Sequence, residues 1–174
     1  MAKKLKILTA IFCLLLIAFC TAYFLFKYGV FLSLAITAGT FFYHFAMRLA
    51  VGYIIDGIFH NNIDYNKPWY KQRKFEIKLY QILKVKKWKK FMPTYSPENF
   101  SVKEKTVEQI IMASCQAELV HTVIVVLSFL PIVFSLFFNS FWVFFITSVF
   151  SALFDLCFVV IQRYNRPRLL KLKK

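Results

Sequence analysis

Residues 141–168 read FWVFFITSVFSALFDLCFVVIQRYNRPR, and this stretch decides the fold. The run Phe141 to Ile161 carries one charged side chain, Asp155, and is long enough to cross a hydrocarbon core of ~30 Å as a helix. Lipid offers no water to unpaired backbone groups, so a spanning segment of this kind is helical. It gives way at once to Gln162, Arg163, Tyr164, Asn165, Arg166, Pro167 and Arg168. Guanidinium and amide groups therefore fall where hydrocarbon meets water, and Pro167, lacking an N–H, is expected to stop the helix there. A plain anchor needs only point charges. Planar forked donors suit carboxylate or phosphate oxygens.

Working outward, Ile7–Phe26, Val30–Met47 and Leu119–Phe138 repeat the same apolar character. A chain of 174 residues that is 59% apolar, with 22 Phe and only 4 Gly, is not a soluble domain. The expected fold is all-α and integral to the membrane, one domain over 1–174. Its four transmembrane helices, at about 7–26, 30–59, 115–138 and 141–162, form two hairpins that turn near Lys27-Tyr28-Gly29 and at Asn139-Ser140. Pro131 should kink the third span, its freed carbonyl satisfied by a neighbour. The first span has a basic start but no small-residue cleavage site after it, so it reads as a retained helix.

Charge orients the bundle. With Arg48 counted as intramembrane, 21 Lys and Arg fall on one side and only Lys27 on the other. The positive-inside rule then places both termini and the segment 61–105 in the cytosol, in a multi-pass protein of the cell membrane. The net charge of +15 borders the bilayer and faces anionic phospholipid, which argues against nucleic acid as a partner. Cys13, Cys20, Cys115 and Cys157 lack any C-x-x-C spacing, and with three His no metal site is expected.

The cytosolic segment carries a pattern of its own. Phe75, Leu79, Ile82 and Leu83 recur at helical spacing within Lys71–Lys90, with Trp88 beyond and lysines on the other faces. The pattern predicts a basic amphipathic helix lying in the headgroup layer, ended by Met92-Pro93. Ser101 to Glu104 fits a capping box opening a helix into the third span. Lys86, Lys87, Lys89 and Lys90 suit anionic lipid, or else the phosphates of a nucleotide-carried donor.

Ionisable groups inside spans cost on the order of 2.5–3.5 kcal/mol each on insertion scales, so those present require a partner or a role. His44, Arg48, Asp56, His60, Glu118, His121 and Asp155 are the candidates. On a structural reading Arg48 pairs with Asp56, and Asp155 with a C-terminal arginine, to lock helices. Glu118 and His121, spaced i, i+3, read as an acid–base pair in which the carboxylate orients the imidazole. His60 to Asp64 is one residue short of the acyltransferase H-x-x-x-x-D pattern.

Ala117-Glu118-Leu119-Val120-His121, an apolar hairpin, and Ile161 to Leu169 together resemble the glycosyl-diaponeurosporenoate acyltransferase family. Trp88-Lys89 followed by Pro93, preceded by Arg73-Lys74, looks like that family's basic loop. The resemblance covers about residues 68–170 and departs at Thr122, where it implies tryptophan. It implies a membrane acyltransferase of the staphyloxanthin pathway, moving a fatty acyl group to a hydroxyl of a membrane glycolipid or glycosylated terpenoid. His121 and Glu118 are then the expected catalytic residues. Gln162, Arg163, Asn165, Arg166, Arg168, Asp155, Arg73 and Lys89 are expected to bind substrate. No cofactor stays bound; acyl-CoA or an acyl carrier protein is the expected donor. Two other classes compete: a small lipid-binding or proton-coupled carrier, which would need a path to both faces, and a methyltransferase using S-adenosylmethionine.

Overall fold

A computed structural model describes residues 2–173. In chain order the helices are α1 (Ala2–Phe26), α2 (Gly29–Phe59), α3 (Lys74–Ile82), α4 (Val85–Trp88), α5 (Val107–Leu127), α6 (Ser135–Phe138) and α7 (Phe141–Leu172). No strand occurs among the described residues. Among the described residues, four segments are long and apolar enough to cross a membrane: α1, α2, the 107–138 segment and α7. α1 has no buried residue, and Leu14, Phe24, Trp142 and Phe150 lie open on their helices. Helices apolar all round with so much exposed hydrocarbon suit lipid, not water.

The chain divides into two compact units, one made of residues 2–51 and 124–153, the other of 52–123 and those from 154 on. In the first unit, Phe12 of α1 stacks on Phe41 and Phe45 of α2, with ring centroids 5.0 and 5.5 Å apart. Gly39 meets Leu16 so closely that a Cβ would sit 3.3 Å from its Cδ1. The third span breaks as expected. α5 ends at Leu127, a 3-10 turn carries Leu130–Phe134, and α6 resumes. Pro131 has no N–H for the carbonyl of Leu127, four residues back, and the Tyr43 hydroxyl supplies the donor instead at 2.9 Å. Arg48 bonds the Ser151 hydroxyl at 2.8 Å and the carbonyl of His44 at 2.9 Å, and Ser151 Oγ lies 2.9 Å from Ser128 Oγ. In the other unit, Asp56 Oδ1 accepts from Gln116 Nε2 at 2.9 Å.

The second unit departs from the predicted pattern at three places, each with a local cause. The single amphipathic helix over Lys71–Lys90 is two, because Lys84 adopts a left-handed conformation (φ 50°) and turns the chain between α3 and α4. The capping box sits at Thr106 and Gln109 instead of Ser101 and Glu104: Thr106 Oγ1 accepts from the Gln109 N–H, and Gln109 Oε1 from the Thr106 N–H. Ser101 only closes a turn onto Glu104 and Lys105. Pro167 does not stop α7, which runs on to Leu172. The proline removes one hydrogen bond to Arg163, but the Arg163 and Arg166 side chains are tied to α3, α5 and the 69–71 backbone by contacts described below. Tertiary bonds thus outweigh a local break of about 3 kcal/mol.

Around this frame, Ile63, Tyr70 and Cys115 form a buried apolar centre against Phe59, Tyr65 and Leu119. α3 faces inward with Glu76 and Tyr80. Its apolar stripe of Phe75, Leu79 and Ile82 faces outward, uncovered.

Candidate functional site

Glu118 is wholly buried on α5, and it is held by guanidinium groups from α7. Arg163 Nη1 reaches Glu118 Oε1 at 2.7 Å and Arg166 Nη2 reaches Oε2 at 2.6 Å. Arg163 also forks onto Glu76 Oε1 of α3 through Nε (3.0 Å) and Nη2 (2.6 Å). Its remaining reach goes to the carbonyls of Trp69 and Lys71. Arg166 donates to the carbonyls of Tyr70 and Ser114, each at 3.2 Å, and lies over the Tyr70 ring. Tyr80 closes the far side by donating its hydroxyl to Glu76 Oε2 at 2.9 Å. Burial first, then the carboxylate beside it, pushes the Tyr80 phenol well above its ordinary range. Two carboxylates and two guanidiniums thus neutralise each other in an interior where any one left alone would be costly.

His121 does not belong to that cluster. Its Nδ1 lies 2.9 Å from Asp155 Oδ1, and the imidazole is partly open (21%) while the carboxylate is buried (1%). The ring stacks on Phe158, centroids 4.5 Å apart and planes 10° from parallel. The expected Glu118–His121 partnership is therefore replaced: both sit on α5, but Glu118 points to the arginines, and the carboxylate of α7 orients the imidazole. Asp155, expected to meet a C-terminal arginine, meets the histidine instead.

The remaining residues divide by surroundings. Asn165 Oδ1 accepts from Lys89 Nζ at 2.7 Å, and that ammonium lies 5.0 Å from the Tyr164 ring centroid. Burial, then Arg168 and Lys86, hold the Lys89 ammonium below the ordinary lysine range. Arg168 stacks on Tyr164 at 3.7 Å. Gln162 is half-buried on α7, and Arg73 is exposed at the start of α3, where its carbonyl accepts the Glu76 N–H. His60 and Asn61 end α2 in left-handed conformations (φ 49° and 57°), and Gln116 accepts the Asn61 N–H at 2.7 Å.

The sequence pattern gives no role to Glu76, Tyr80, Tyr70 or the Tyr164 ring, all of which the structure brings to the site. A signal existed for Glu76: it is one of three acids among twelve Lys and Arg in residues 66–105, and it is the acid inside the amphipathic pattern. No group of three or more His, Cys, Asp or Glu able to hold a metal occurs among the described residues.

A family model described as glycosyl-4,4'-diaponeurosporenoate acyltransferase matches residues 66–174, a stretch that includes the carboxylate–guanidinium cluster, His121 and Asp155. No curated protein and no solved structure matches the chain.

Proposed function

The chain belongs to the glycosyl-4,4'-diaponeurosporenoate acyltransferase family, and on that premise we propose that it moves a fatty acyl group from a cytosolic thioester to a hydroxyl of a membrane glycolipid or glycosylated terpenoid. The observation that carries this reading is the His121–Asp155 contact at 2.9 Å, with the carboxylate buried and the imidazole partly open. An Nδ1–H donated to Asp155 leaves the lone pair on Nε2, the requirement for a general base. Phe158 fixes the ring plane.

In the proposed step Nε2 takes the proton of the acceptor hydroxyl as its oxygen bonds to the thioester carbonyl carbon. The tetrahedral intermediate collapses with cleavage of the C–S bond, and Nε2 passes its proton to the departing sulfur. An ester and a free thiol result, and no resident cofactor is called for. Arg163 and Arg166, bound to Glu118 and Glu76, act here by fixing α7 against α3 and α5, which sets the register of Asp155. Asn165, its carbonyl oxygen held by Lys89, keeps its amide N–H groups for the donor. The charge bias of the sequence supports a cytosolic site for both termini and the 61–105 segment. The outward apolar stripe of α3 supports its lying on the membrane surface.

The test is acyl transfer in membranes. His121→Ala should abolish ester formation while the protein still inserts and folds. Asp155→Asn should lower kcat by about 100- to 10,000-fold with little change in KM for the donor. Full activity in the His121 variant would end the proposal.

A further inference from the structure

Five cations line one open cleft of about 560 Å³: Lys84, Lys86, Lys87, Arg168 and Lys171, with no carboxylate among its lining residues. We propose that this cleft receives the phosphates of the nucleotide end of a coenzyme A thioester. The inference rests on the acyl-transfer reading above and names the class of its donor.

The chain builds this concentration of charge by identifiable means. The left-handed turn at Lys84 folds α4 back so that Lys84, Lys86 and Lys87 share a wall, and Arg168 and Lys171 stand one turn apart on α7. Arg168 is oriented, not loose: its plane lies 3.7 Å from Tyr164 and Nη1 donates to the Tyr164 carbonyl at 3.0 Å. The rest of its fork remains for an oxyanion, in contrast to Arg163 and Arg166, which already hold carboxylates. Nearby, burial first and then the positive charges of Arg168 and Lys86 lower the Lys89 ammonium below the ordinary lysine range, and like charges so close repel one another. A polyanion relieves that repulsion.

Shape favours a nucleotide over a lipid headgroup. Besides the cations, Ile77, Tyr80, Tyr164 and Pro167 line the cleft, and the exposed Ile77 with Pro167 offers a planar base an apolar surface. A phosphatidylglycerol headgroup brings one phosphate to five cations, whereas coenzyme A brings a diphosphate and a 3′-phosphate. Tyr164 and Asp155 are nine residues apart on one helix, about 13.5 Å along its axis. A pantetheine arm extends far enough to carry a thioester from this cleft toward His121.

The experiment is calorimetric titration of the full-length protein in phosphatidylcholine nanodiscs with coenzyme A and with dephospho-coenzyme A, repeated in discs containing phosphatidylglycerol. Arg168→Gln and the double variant Lys84→Gln/Lys87→Gln alter exposed side chains, and circular dichroism verifies their helices. Coenzyme A should bind, dephospho-coenzyme A more weakly, and each variant should lose about tenfold or more in affinity. Absence of binding, or binding that neither variant weakens, overturns the proposal. Loss of binding in phosphatidylglycerol discs overturns it in favour of a lipid headgroup site. Transfer from acyl carrier protein without coenzyme A binding removes the donor assignment and leaves the chemistry standing. Cleft-dependent coenzyme A binding with no transfer to any hydroxyl does the reverse.

Discussion

Glu118 illustrates how little spacing alone says about a side chain's partner. Its i, i+3 relation to His121 places both on one side of α5, yet the carboxylate receives Arg163 and Arg166 at 2.7 and 2.6 Å. The imidazole finds Asp155, 34 positions further along the chain. Helix periodicity fixes which residues share a face, but the groups that meet that face come from a different helix. Residue identities did mark the site: His121, Glu118, Asp155 and the arginines of 163–168 were all legible as groups a membrane segment does not carry without reason. Their pairing was not. If Glu118 is the hub of a buried ion cluster and not a proton-transfer group, Glu118→Gln should destabilise the fold by about 3–5 kcal/mol. The fall appears as a lower midpoint of thermal unfolding in detergent, and an unchanged midpoint would contradict the hub role.

At the level of elements, apolar runs located the long helices, and the errors cluster at their ends and breaks. Ser101 and Glu104 have the residue types of a capping box, as do Thr106 and Gln109; backbone geometry selects the second pair. Thr106→Ala should therefore cost about 1 kcal/mol of stability, and Ser101→Ala much less, a contrast measurable by paired unfolding curves. Lys84 breaks the amphipathic helix without a glycine or proline to announce it. Conversely, Pro167 announces a break that does not happen. Pro131 behaves as a local rule says, because Tyr43 stands by to bond the Leu127 carbonyl. Whether a proline interrupts a helix depends on what holds the residues around it.

For the molecule as a whole, the distribution of lysine and arginine carries a directional claim. Lys27 should lie on the face opposite Lys103. Single cysteines introduced by Lys27→Cys and Lys103→Cys, in a background with the native cysteines replaced, should be labelled by an impermeant maleimide from opposite sides of sealed vesicles. Labelling of both from one side would refute the orientation.

The sequence by itself determined the class of the protein: uncharged runs of spanning length force helices in lipid, because the backbone has no other source of hydrogen bonds. It also named the residues too polar for their setting. Only the tertiary structure decided which carboxylate faces His121, that Glu76 joins the arginines, and that Lys84, Lys86, Lys87, Arg168 and Lys171 line one cleft. Those outcomes depend on the rotation and register of one helix against another, set by packing among distant segments, and no local pattern along the chain encodes them.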